Sequence, residues 1–182
     1  MSETDTPAAP RLWTPQGFRD DDWTRADSAE ALAGNGRVIL PLATYLELDA
    51  GTRAANAGRI GVHLLPGDAL GPILPDLDTL ALVSLAFPAF SDGRSYSKAA
   101  LLRSRHGFAG TLRAAGDVLI DQIPLMIRTG FTEFEVTNPT ALRRLEEGRL
   151  GGIAYHYQPA SRPEDAGPRY SWRRAPAGAE LP

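Results

Sequence analysis

The chain of 182 residues contains no cysteine. That absence excludes disulfides, iron–sulfur clusters, thiolate zinc sites and thiol nucleophiles. A basic excess is missing too: 19 Lys and Arg stand against 22 Asp and Glu, a net charge of −3, which disfavours nucleic acid as a partner. Lys98 is the only lysine, a preference to which no functional weight attaches. No window approaches the roughly 20 apolar residues of a membrane span. Residues 1–30 hold Glu3, Asp5, Asp20, Asp21 and Asp22 and lack the apolar run of a signal peptide. The expectation is a cytoplasmic protein with no membrane partner. His63, His106 and His156 are isolated, so no paired metal ligands are expected. Phosphate-loop, nucleophile-elbow and dinucleotide fingerprints are all absent, and Gly58-Arg-Ile-Gly61 precedes a strand where a fingerprint would open a helix.

Hydrophobic residues make up 43% of the chain and charged residues 23%, ordinary for a globular protein. At about 150 residues per domain, this length predicts one domain with tails. Residues 1–22 read as a flexible N-terminal tail punctuated by Pro7, Pro10 and Pro15. Residues 23–158 read as a single α/β domain, and 159–182 as a Pro/Arg-rich tail whose Tyr170 and Trp172 favour partial docking.

Within the domain, candidate strands begin near 38, 60, 80, 111, 131 and 153, separated by helical patterns. The run Leu80–Phe87 is almost continuously apolar, as in a strand buried on both faces of a parallel sheet. Pro41–Asp49 has helical spacing. Ser97 is placed to cap a helix to His106, Asp117 to cap Val118–Arg128, and Asn138 or Thr140 to cap a helix to Glu147. Pro124 inside the second of these predicts a kink or break. Residues 66–78 read as a loop or one short helical turn. The spacing predicts a mostly parallel sheet, either open or a partial (β/α) barrel, with helices covering it; a closed eightfold barrel takes about 250 residues.

Ligands of parallel sheets sit at the carboxyl ends of strands. After the strand ending at Phe87, that rim carries Asp92, Arg94, Ser95, Tyr96 and Ser97; after the next strand it carries Arg113, Gly116, Asp117 and Gln122. Arg94 and the amides of a helix start suit an anion, with Arg113 and Asp117 facing Arg94 across neighbouring strand ends. Each residue also has an ordinary use: Asp92-Gly93 as a turn, Arg94 paired with Asp92, Ser97 and Asp117 as caps, Gln122 on the surface.

Phe87-Pro88, Phe90, Asp92-Gly93-Arg94, Tyr96-Ser97, Leu101-Leu102-Arg103, Arg105-His106-Gly107, Leu112-Arg113-Ala114, Gly116-Asp117-Val118-Leu119, Asp121-Gln122, Gly130-Phe131 and Phe134 together resemble a bacterial domain-of-unknown-function family, DUF934. Members are often encoded beside assimilatory sulfite reductase. The resemblance implies a probable oxidoreductase or accessory factor in sulfite reduction during cysteine biosynthesis. Ser95 stands where the family usually has glycine, and Pro124 where it is typically apolar.

Reduction of sulfite to sulfide normally uses sirohaem with an iron–sulfur cluster, which a chain without cysteine cannot ligate; it is no self-sufficient sulfite reductase. Three readings follow. The first is an accessory protein in contact with the sulfite reductase haemoprotein. The second is an oxidoreductase holding flavin or another phosphate-bearing ligand at the Asp92–Ser97 and Gly116–Asp117 loops. The third is a small-anion binding module.

Overall fold

Residues 9–151 are described in the computed structural model of the protein. Strands β1 (Arg11–Thr14), β2 (Gly17–Arg19) and β3 (Trp23–Arg25) come first, then a 3₁₀ turn and β4 (Arg37–Pro41). Helices α1 (Leu42–Glu47) and α2 (Ala50–Ala55) lead to β5 (Ile60–Leu64), and a second 3₁₀ turn, Gly71–Asp76, leads to β6 (Leu82–Phe87). The alternation continues with α3 (Arg94–Ser104), β7 (Thr111–Gly116), α4 (Ile123–Thr129), β8 (Glu133–Val136) and α5 (Pro139–Glu146).

All eight strands form one sheet in the order β2-β1-β8-β7-β6-β5-β4-β3. From β3 to β8 each strand lies parallel to the next in sequence, while β1 runs antiparallel to β8 and β2 to β1. This is a mixed, mostly parallel α/β fold. Its shape follows from chain connectivity. The edge strands β2 and β3 are joined only by Asp20, Asp21 and Asp22. Four residue steps reach about 14 Å at most, whereas the edges of a flat eight-stranded sheet would lie about 34 Å apart. The sheet must curl, and it does so as a half-barrel.

Among the described residues, helices and turns pack on one face of the sheet. Leu32, Tyr45, Leu48, Ile73, Ala99, Leu102, Ile123, Met126 and Ala141 join Val38, Leu40, Val62, Val83, Leu85, Leu112, Ala114, Phe134 and Val136 in a single buried apolar cluster. The other, concave face holds a small separate cluster of Trp23, Ile39 and Leu82. Gly61 lies beneath it: a Cβ there would come within 3.0–3.2 Å of Leu82, Trp23 and Ile39, so the missing side chain makes room for the indole.

Several local expectations change. Residues 11–19, placed by the sequence in the N-terminal tail, form the β1–β2 hairpin, because Leu12, Trp13 and Thr14 bury against β8. The helix after β7 starts at Ile123, not Val118. Pro124 therefore sits in the first turn, where no amide is needed, and produces no kink. Asp117 does not cap it; its amide donates to Phe87 O at 2.7 Å and the chain turns as far as Gln122. Ser97 lies inside α3, whose N-cap is Gly93. Asn138 does cap α5, accepting from the Ala141 amide at 3.0 Å. Residues 41–49 are interrupted at Leu48, so two short helices replace one. The strand expected at 153–157 and the tail at 159–182 lie outside the described residues. Among the described residues no helix is long and apolar enough to cross a membrane.

Candidate functional site in the half-barrel

Strand register sets one row of polar side chains across the concave face. His63 of β5 pairs with Ser84 of β6, Ser84 with Arg113 of β7, and Arg113 with Glu133 of β8. Side chains alternate faces along a strand, so Glu135 joins Glu133 on this face while Phe134 enters the helix-covered core. One level nearer the carboxyl ends the register brings Ala86 beside Ala115. These small side chains leave room, and a pocket of about 240 Å³ opens there, lined by Arg25, His63, Ala86, Ala115, Gly116 and Glu135, with Phe87 and Pro88 at its edge.

Ion pairs across the curl hold the arrangement. Arg25, on the edge strand β3, donates from Nη2 to Glu135 Oε1 on β8 at 2.7 Å and to Ser84 Oγ at 3.1 Å. Arg113 is fully buried. It donates to both oxygens of Asp21 at 2.7 and 2.9 Å, to Glu133 at 2.8 Å and to Glu135 at 3.3 Å. Arg19 completes the set by pairing with Glu133. Burial alone would push the Arg113 guanidinium down; the Asp21 hydrogen bonds and the Glu133 charge outweigh it and raise its pKa. Asp21 comes from the short β2–β3 link, so the segment that curls the sheet also neutralises its interior.

The tautomer of His63 is assigned from its contact with the buried Ser84 hydroxyl. Ser84 Oγ lies 3.1 Å from Arg25 Nη2, which can only donate, and 3.0 Å from His63 Nδ1. Giving the buried hydroxyl proton an acceptor at His63 Nδ1 satisfies both groups, and on that ground the imidazole proton is assigned to Nε2. Burial, reinforced by the Arg25 charge, pushes the His63 pKa down to about 4, so the ring is neutral near pH 7. A second opening of about 350 Å³ lies at the amino ends of the strands, between Thr14, Arg19, Gly110, Thr111, Thr132 and Glu133.

The rim residues read from sequence fall into two groups. Asp92 and Arg94 pair with each other through Arg94 Nε at 3.0 Å and Nη2 at 2.7 Å, and the Asp92 carboxyl is held below the usual range by those bonds. Ser95 is buried and donates to Ala86 O at 2.6 Å, anchoring α3 under the end of β6. The two loops do meet: Gln122 Nε2 donates to Phe90 O at 3.2 Å, and Tyr96 packs edge-on against Phe87. Burial, with the Asp121 charge behind it, pushes the Tyr96 hydroxyl up to about 12. Tyr96 Oη and Gln122 Oε1 are buried without a hydrogen-bond partner among the described residues. Ser97 is exposed on α3, and Asp117 lies in the turn after β7.

Arg113 is not on that rim. It points into the barrel, one strand level below Ala115, and does not face Arg94, because position 113 shares the inner face with Ser84 and Glu133. Of the residues proposed for ligand binding, only Gly116 lines the carboxyl-end pocket. Its φ of 104° and a hypothetical Cβ 2.4 Å from Phe87 O require glycine there. Arg25, His63, Ser84, Glu133 and Glu135 were not singled out as site residues by sequence. The available signal was one polar residue in each of several apolar runs, at positions that the register aligns.

Fold and site together define an α/β half-barrel with a neutralised, ion-paired interior open at the carboxyl ends of its parallel strands. The family model described as "Bacterial protein of unknown function (DUF934)" matches residues 61–167, more than half of the chain, and the protein belongs to that family. No curated protein and no solved structure matches the chain.

Proposed function

We propose that the protein serves assimilatory sulfite reduction as an accessory protein that works by contact with the sulfite reductase haemoprotein. The association with the pathway comes from the family resemblance. The structural observation that supports contact as the mode of action is Phe90, a large apolar side chain 62% exposed on a loop that is otherwise fastened down. The Asp92–Arg94 pair, the Ser95 anchor and the Gln122 bond to Phe90 O brace this loop. Leu65, at the carboxyl end of the neighbouring strand β5, is also 55% exposed, and Lys98 of α3 ties its carbonyl down at 2.6 Å. A braced loop spends no ordering entropy on binding, and exposed apolar groups at its tip suit a protein surface. Binding of the full chain to the purified haemoprotein tests this. Phe90→Asp weakens the complex at least tenfold without moving the melting temperature; equal binding by wild type and variant, or none by wild type, removes the reading.

A second reading, an oxidoreductase holding flavin or another phosphate-bearing ligand at the two rim loops, draws support from the buried, unpartnered Tyr96 Oη and Gln122 Oε1. Both atoms are closed to solvent, so a ligand would meet them only after the two loops part. Protein purified gently from its own host would then show flavin absorption bleached by reductant, and a colourless preparation that no flavin stabilises counts against it.

A further inference from the structure

We infer that the carboxyl-end pocket inside the half-barrel is a binding site for a small oxyanion, held by Arg25 and the Nε2–H of His63. The inference rests on the pocket's hydrogen-bonding inventory. Arg25 spends only Nη2 on protein partners among the described residues, leaving Nε and Nη1 without one. His63 spends Nδ1 on Ser84. Its Nε2 has no protein partner there and is not among the buried unpartnered atoms, so it remains open to a ligand. The pocket thus offers at least three N–H donors from two side chains on different strands. Against them stands a single open side-chain acceptor, Glu135 Oε2, because Glu135 Oε1 already takes both Arg25 and Arg113.

Net charge does not make the selection. Arg19, Arg25 and Arg113 are balanced by Asp21, Glu133 and Glu135 across the inner face. What selects is the excess of donors over acceptors, which a ligand with two or more acceptor oxygens satisfies. The lone acceptor adds a preference. Glu135 Oε2 accepts a hydrogen bond from an oxyanion that keeps one O–H and repels one that has none. Size sets the upper limit: about 240 Å³ is below the roughly 300 Å³ at which pockets for drug-sized ligands begin. The ligand is therefore an inorganic oxyanion or an organic acid of a few heavy atoms. Neutrality of His63 is what keeps Nδ1 an acceptor for Ser84 and aims the proton at the ligand. This site uses residues apart from the Phe90 loop and stands whether or not the partner reading holds.

Calorimetry and thermal melts of the full chain in mildly acidic, low-salt buffer test it, with sulfite, phosphate, sulfate and acetate as probes. Sulfite and phosphate, which keep an O–H under those conditions, bind and raise the melting temperature; sulfate, fully ionised, binds at least several-fold more weakly. Stronger binding of acetate, which has lost its O–H under those conditions, than of either would overturn the selection by Glu135. Arg25→Gln, at a side chain 41% exposed and so tolerant of change, weakens binding at least tenfold. His63→Phe, which keeps an aromatic ring and removes the donor, weakens it several-fold while the protein still melts cooperatively. Failure of all four probes to bind wild type overturns the inference, as does undiminished binding by both variants.

Discussion

The two faces of the curled sheet are built from the same strands and obey different rules. On the convex face, Val62, Val83, Leu85, Leu112 and Phe134 meet helix side chains in one continuous apolar cluster. On the concave face, neighbouring positions carry His63, Ser84, Arg113, Glu133 and Glu135, and among the described residues only Trp23, Ile39 and Leu82 form an apolar cluster. Apolar burial gains free energy without directional demands, whereas buried charge costs desolvation that only well-placed partners return. An apolar plug would have closed the half-barrel with less geometric precision.

The largest expected effect separates the faces by how they fail. Phe134→Ala in β8 and Arg113→Met in β7 alter buried residues on opposite faces of paired strands. The first leaves a cavity and costs about 3–5 kcal/mol. The second leaves Glu133 buried without its main partner and also costs about 3–5 kcal/mol. Adding Glu133→Gln removes the stranded charge and restores part of the loss in Arg113→Met; it restores nothing in Phe134→Ala. Urea denaturation of the two single and two double variants checks this, and equal response to Glu133→Gln would erase the distinction.

A smaller effect comes from acid. The unfolded His63 takes up a proton as pH falls through about 6.5, but the folded ring does so only near 4, because burial and Arg25 oppose its charge. Between those values the unfolded state binds more protons, so this group's contribution to stability is complete above the window and lost as pH falls through it. The loss is on the order of 3 kcal/mol by the low end of the window. Melting curves of wild type and His63→Gln across that range isolate it: the variant keeps a flatter acid limb. Parallel limbs would mean that His63 is already solvated and that the interior is wetter than its hydrogen bonds imply.

How much of this was legible depended on how many neighbouring residues carried each signal. Strands β4 to β8 announce themselves as apolar runs between turn formers, and their spacing is enough for a mostly parallel sheet with covering helices. Residues 11–25 do not. Their strands are three or four residues long, and Trp13 and Trp23 were the sole hints that the segment buries anything. The concave row was hidden for another reason: each strand contributes one or two polar residues, and their alignment is a property of register between strands, which no local window contains. Arg113 illustrates the cost. Its chemistry was legible, but one inner position of β7, Ala115, separates the rim from the row, and a shift of one residue exchanges faces. Asp117 shows the same limit at a cap, where a tertiary acceptor, Phe87 O, claimed its amide before a helix could start.

The smallest expected effect in stability closes the contrast on like chemistry. Arg94 and Asp92 make a bidentate pair at 2.7 and 3.0 Å, as Arg113 and Asp21 do at 2.7 and 2.9 Å. Arg94 is 63% exposed at its side chain, Arg113 only 1%. Water and salt screen the outer pair, and a free Arg94 recovers its hydration, so the pair's geometry returns almost nothing to the fold. Arg94→Ala therefore leaves the melting temperature unchanged within error while Arg113→Met lowers it by many degrees. Under the proposed contact reading the outer pair acts through the loop it braces: without Arg94 the Phe90 loop has to be ordered on binding, and the expected outcome is a several-fold loss of affinity for the haemoprotein. A drop in melting temperature for Arg94→Ala comparable to that of Arg113→Met would show that local hydrogen-bond geometry, not burial, decides what these ion pairs are worth.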